Sequence, residues 1–288
     1  MGRVGVDLYP NQLETPLREV RTYTRFVGGF AGNVATGLAR LGVATAIVSR
    51  VGDEGHGGFV RAWLADEGVD VRFLRTDPYW LTPPTFCEVW PPDNFPILFY
   101  RRPTAPDWQL SPEDFDHEEV AHARLLYATG TGLAQAPSRE TTLEALHAHR
   151  GATIFDLDWR PSLWDDPGVY PRLAAEAVES AEIVIGNEEE VAAAQLGDVP
   201  RLVVKRGERG ATVYEHGDVT DVPGYSVEVV NGLGAGDAFA AALGQGLLRG
   251  LSLVEATRRG NVAGALVASQ LACSEAMPHL EDLEAALV

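Results

Sequence analysis

Short apolar runs alternate with longer amphipathic ones along most of this chain, and that rhythm leaves few folds open. Residues 45–51 read as a buried strand, 55–67 as a helix and 69–74 as the next strand. Upstream, residues 1–7 read as a strand and 17–26 alternate polar and apolar side chains, as a half-exposed strand would. The same alternation resumes after Ser111, with strands at 125–129, 153–157, 183–185, 202–205, 211–214 and 225–230. Helices are predicted at 138–150, 170–180, 253–269 and 280–287, besides one that follows residue 231. Repeated strand–helix–strand units predict an α/β fold, a mainly parallel central sheet with helices on both faces. The rhythm breaks between Trp80 and Pro106, where Pro83, Pro84, Pro91, Pro92 and Pro96 exclude a helix. Two strand-like pieces there, with residues near 8–27, predict a small lid sheet over about 8–27 and 83–102 of a single domain spanning 1–288. So small a sheet buries little by itself. It should cover a site, pair with a second subunit as a homodimer, or both.

The charge narrows the partners. Lys plus Arg number 23 and Asp plus Glu 41, a formal net charge of −18. That sign argues against nucleic acid or anionic membranes as main partners. Cys87 and Cys273 are far apart with no metal spacing. They read as buried, reduced thiols, the expectation for a cytoplasmic protein. No apolar run reaches membrane-spanning length.

The stretch with the most chemistry is Asn231-Gly-Leu-Gly-Ala-Gly-Asp237, between a strand-like segment and a small-residue helix. Backbone N–H groups at such a junction lack intrahelical partners and converge on one spot, which suits an anion. Asp237 stands at its mouth. A carboxylate is a poor phosphate ligand and a good acceptor for the proton of an attacking group. From spacing alone, a glycine-rich turn capped by Asp reads equally well. A second glycine motif, Gly28-Gly-Phe-Ala-Gly-Asn33, also precedes a helix. It departs from the dinucleotide fingerprint, and the following strand ends in Ser49-Arg50 rather than an acid. Asp156, Asp158 and Arg160 alternate with Phe155, Leu157 and Trp159, so they share one face at the end of a strand. Arg101 and Arg102 are adjacent guanidiniums in a strongly acidic protein.

These motifs together resemble the PfkB, or ribokinase-like, carbohydrate kinases. The resemblance covers nearly the whole chain, with both family signatures in order. It implies an ATP-dependent sugar kinase with Asp237 as catalytic base and the amides of Gly234, Ala235 and Gly236 as the anion hole. It places sugar hydroxyls on Asp7, Gly28, Gly29 and Asn33. The segments Phe99-Tyr-Arg101 and Asp156-Leu-Asp-Trp-Arg160 resemble family members that act on sugar acids. That likeness puts Arg101 and Arg160 on a carboxylate, with Asp158 beside them. Asn187 and Glu190 match the motif that orders Mg²⁺ through water. Lys205, Gly207, Gly210 and Asn261 match nucleotide contacts. Asn231-Gly232 stands where the family has Asp-Thr, which leaves a monovalent-cation site open. A non-catalytic sugar- or nucleotide-binding regulator on the same fold is the rival reading; the intact Asp237 argues against it.

Overall fold

A computed structural model describes residues 1–288. The central sheet has six strands: β7 (Leu125–Thr129), β8 (Ala152–Asp156), β9 (Ile183–Asn187), β10 (Arg201–Lys205), β11 (Ala211–Glu215) and β12 (Asp218–Val222). Strands β7 to β10 pair in parallel, and β11 and β12 add an antiparallel edge. Parallel strands must be covered on both faces, and their sequences show it. Ile154 and Ile185 point to one side, while Phe155 and Val184 point to the other.

One face packs against α1 (Phe30–Arg40), α7 (Ala235–Leu248) and α8 (Leu253–Ala268), closed by the short α9 (Leu280–Ala286). The run of alanines in α7 lets α8 and α1 approach closely; Ala238, Ala240, Ala241 and Ala242 are all buried. The other face carries α4 (Ser138–Ala148), α5 (Tyr170–Val178) and α6 (Glu188–Ala194), with α3 (His117–Ala121) at its margin. A third cluster packs α2 (Gly55–Asp66) against the two-stranded parallel ribbon β3 (Ser49–Gly52) and β4 (Leu74–Asp77). The lid is a four-stranded sheet ordered β2 (Tyr23–Gly28), β1 (Gly5–Pro10), β5 (Pro84–Cys87) and β6 (Ile97–Phe99).

Three expectations are corrected. Residues 225–230 alternate like a strand but form none; β12 already occupies the sheet edge, and the Val230 and Asn231 amides donate to the Ala268 carbonyl. The strand expected at 69–74 lies at Leu74–Asp77. The strand expected at 45–51 is regular only over Ser49–Gly52, although Ala46 bridges to Asp70.

Candidate active site

The carboxyl ends of β8, β9 and β10, the start of α7 and the underside of the lid enclose a cavity of about 380 Å³. Its floor is the N-terminus of α7. Gly234 has φ 82°, and a Cβ there would lie 2.8 Å from Cys273 Sγ, so only glycine fits. No side chain caps this helix. The N–H groups of Gly234, Gly236 and Asp237 find no protein acceptor, and Ala235 N reaches Gly232 O only at 3.4 Å. Gly234, Gly236 and Asp237 line the cavity whereas Ala235 does not. The amides free to meet an anion are therefore those of Gly234, Gly236 and Asp237.

Asn33, in the first turn of α1, donates from Nδ2 to Asp237 Oδ2 at 2.6 Å. Burial pushes the Asp237 carboxyl up to about 6, with the Asn33 hydrogen bond pulling the other way. Asn33 Oδ1 is buried without a partner, an acceptor left for a ligand. Asp7, on β1, lines the same cavity with its carboxylate over Gly28, where any side chain would collide with it. Burial pushes Asp7 up to about 7, against the pull of Arg3. Gly29 lines the cavity; Gly28 lies beneath Asp7 instead.

The two expected arginines part company. Arg160 lines the cavity, 3.3 Å from Asp158 Oδ1 and 3.3 Å from Glu190 Oε1. Arg101 does not reach it. Arg101 is buried, ion-paired with Asp107 and stacked 4.6 Å from the Trp108 ring. The other Asp107 oxygen accepts from Val4 N at 2.8 Å, so Arg101 braces the start of β1. In its place stands Arg3, which sequence reading missed. Its Nη2 lies 3.0 Å from Asp158 Oδ2, and its Nε donates to Thr131 Oγ1 at 2.8 Å. Arg3 lines the cavity, and its Nη1 has no protein acceptor. Against the upward push of burial, Arg3 and then Arg160 hold the Asp158 carboxyl below its ordinary range. Asp158 thus clamps two guanidiniums toward one space, and its own oxygens are engaged in doing so.

Lys205, at the end of β10, sits under the α7 N-terminus, 3.0 Å from Asp156 Oδ2 and 4.0 Å from Glu190 Oε2. Asn187 and Glu190 form a reciprocal capping box on α6: Glu190 N donates to Asn187 Oδ1 at 2.8 Å, and Asn187 N to Glu190 Oε2 at 2.7 Å. With their oxygens so engaged, they suit a metal held through its water shell better than direct ligation. Gly207 lines the cavity. Gly210 and Asn261 do not: Gly210 packs on the Val222 carbonyl, and Asn261 Nδ2 donates to the carbonyls of Val222 and Pro223. Asn231 is buried, with Nδ2 on Leu271 O at 2.6 Å and Oδ1 on Leu233 N at 3.1 Å. It staples the glycine loop from inside.

Comparison with known proteins gives one consistent picture. The family description "pfkB family carbohydrate kinase" matches residues 1–280. Proteins named 5-dehydro-2-deoxygluconokinase from Clostridium tetani and Shouchella clausii are 33% and 35% identical. Each aligns over 99% of this chain, and over 90% and 93% of its own length. A sugar kinase from Pyrococcus horikoshii solved with ATP superposes with a TM-score of 0.88 at 28% identity, over 98% of this chain and 95% of that one. A fructokinase from Vibrio cholerae, solved with fructose, ADP and calcium, gives 0.88 at 27%, over 100% and 97%.

Proposed function

The chain belongs to the pfkB family of carbohydrate kinases, and from that premise we propose that it phosphorylates the terminal primary hydroxyl of a sugar acid, 5-dehydro-2-deoxy-D-gluconate. The observation that carries the reading is Asp237, ionisable near neutrality, beside an uncapped helix N-terminus in a cavity that also holds two guanidiniums. The proteins of that name from Clostridium tetani and Shouchella clausii support the substrate.

The sugar lies between Asp7, Gly29 and Asn33, with its carboxylate on Arg3 and Arg160. Arginine forks grip carboxylates bidentately, and the shared Asp158 holds both forks in place before substrate arrives. Asp237 takes the proton of the attacking hydroxyl. The free amides of Gly234 and Gly236 and the Lys205 ammonium meet charge on the transferring phosphoryl group, where positioning and electrostatics supply most of the catalysis. ATP occupies the side of the cavity bounded by Lys205 and Gly207. A hydrated Mg²⁺ beside Asn187 and Glu190 would neutralise phosphate charge there.

The lid leaves β6 as an open edge beside exposed Leu98 and Tyr100, so we infer a homodimer with lids face to face. No helix is long and apolar enough to cross a membrane, which agrees with work in the cytoplasm. An ADP-release assay across a panel of sugar acids and neutral sugars tests the function. Preference for a neutral sugar overturns the sugar-acid reading, preference for 2-keto-3-deoxygluconate reassigns the substrate within it, and no ADP with any sugar favours a binding regulator.

A further inference from the structure

The underside of the lid is laid out as a grid. In register, Asp7 of β1 lies beside Thr85 of β5, and Thr85 beside Phe99 of β6. Two residues on, Cys87 lies beside Ile97, with Tyr9 packed in the same cluster as Cys87. Residues paired in register point to one side of a sheet, and all six line the active-site cavity. The residues between them, Leu8, Phe86 and Leu98, pair with one another on the outer face.

The grid is polar at one end and apolar at the other. Asp7 and Thr85 carry its open hydrogen-bonding groups, because the Tyr9 hydroxyl is taken up by Cys273 Sγ. Cys273 Sγ also lies 4.0 Å from Asp7 Oδ2 and packs against Gly234, so the polar end stands next to the N-terminus of α7. Toward β6 the wall consists of Cys87, Ile97 and Phe99. The N–H and C=O groups of β6 lie in the plane of the sheet and do not point down into the cavity. The Phe99 ring centroid is 5.5 Å from the guanidinium carbon of Arg3, which puts the apolar end beside the carboxylate grip. The cations of that grip are engaged by Asp158, by Glu190 and by the carboxylate itself.

We propose that Phe99 and Ile97 are specificity residues, selecting an acid whose carbon next to the carboxylate is a bare methylene. The inference rests on the sugar-acid reading above and adds which carbon must lack a hydroxyl and which side chains read it. With the primary hydroxyl at Asp237 and the carboxylate on Arg3 and Arg160, the substrate runs from the polar end of the grid to the apolar end. Hydroxyls in its middle meet Asp7 and Asn33. The carbon next to the carboxylate lies under Phe99 and Ile97. A hydroxyl there loses its water and gains no partner, whereas a methylene only buries apolar surface. An apolar wall rejects an added hydroxyl by roughly a hundredfold at most, so the wall grades the two acids and does not exclude one outright.

The test pairs 5-dehydro-2-deoxy-D-gluconate with 5-dehydro-D-gluconate, which differ by that one hydroxyl, and follows ADP release. Wild-type kcat/KM should favour the deoxy acid by roughly ten- to a hundredfold. Two pairs of near-isosteric variants then separate polarity from shape: Ile97→Val against Ile97→Thr, and Phe99→Leu against Phe99→Asn. Threonine and asparagine offer the hydroxyl a partner and should each narrow the ratio by about fivefold, while valine and leucine leave it within about twofold. Each value is a ratio of two substrates on one protein, so a variant that folds poorly lowers both rates and leaves the ratio readable. A wild-type ratio near one overturns the proposal while the preference for acids over neutral sugars stands. A polar variant that shifts the ratio no more than its apolar twin removes that residue from the role. Loss of the preference for acids overturns the sugar-acid reading, and this inference with it.

Discussion

Replacing Asn33 with alanine should move a pH limb rather than only lower a rate. Asp237 must be ionised to accept the substrate proton, and its carboxyl sits at about 6. Activity is therefore present above that pH and is lost as pH falls through it. The 2.6 Å bond from Asn33 Nδ2 favours the ionised form. A hydrogen bond to a charged group contributes about 1.5–3 kcal/mol, and about 1.4 kcal/mol corresponds to one pKa unit. Asn33→Ala should thus carry the acid limb of kcat/KM from about 6 to roughly 7–8. At pH 7 the ionised fraction would drop from roughly nine-tenths to between a tenth and a half. Above about pH 9 that part of the deficit should vanish, and whatever loss persists reports the sugar contact of Oδ1. Direct ADP quantification across the range, with Asp7→Asn introduced into both backgrounds to remove the group near 7, isolates the limb. A uniformly lowered profile with its limb still near 6 would refute the assignment, because Asn33 would then act on sugar binding alone.

Asp237→Asn should cut kcat by about 10²–10⁴-fold while ATP still binds by calorimetry; retention of more than about a tenth of the wild-type rate removes Asp237 as base. Arg160→Ala and Arg3→Ala should each lower kcat/KM for the sugar acid by roughly ten- to a hundredfold, with a much smaller loss for a neutral analogue and little change in KM for ATP; equal proportional losses for the two substrates would make these arginines structural. Arg101→Met leaves Asp107 buried without its cation, which typically costs about 3–5 kcal/mol; Tm should fall sharply while the preference for acid over neutral sugar persists. Light scattering at micromolar concentration should give the mass of a dimer, and a fully active monomer would sink the lid interface.

The geometry around Asp237 was readable because its parts are local. The glycine loop, the helix start and Asp237 follow one another in seven residues, and the rule that anions seek helix N-termini needs no tertiary information. The sugar-acid end was less readable for the opposite reason. Arg3 looked like an ordinary residue near a strand start; its role depends on Thr131 and Asp158, which lie 128 and 155 positions away. Arg101 was misplaced because nothing in Phe99-Tyr-Arg-Arg102 says that Asp107, six residues on, will capture it. The same limit explains residues 225–230. Alternation marks a segment able to be a strand, but whether an edge remains for it is decided elsewhere in the chain. Asn261 and Gly210 matched a motif by position, and the structure gives both to holding the turn after β12.

Strand β1 is the inner strand of the lid, flanked by β2 and β5, and it also carries Asp7 and follows directly on Arg3. On the proposed reading, a group that grips the sugar and the cover above it are one mechanical part. If Asp7 binds the sugar as proposed, a lid closed on nucleotide alone would leave an acid near neutrality facing an unfilled space, while Arg3 stays on Asp158 and Thr131. On that reading contact with the sugar would favour closure, and water reaching ATP in an open form would find Asp237 but not a sealed chamber. Discrimination between sugar and water as phosphoryl acceptor would then come from the order of assembly, with no residue devoted to it.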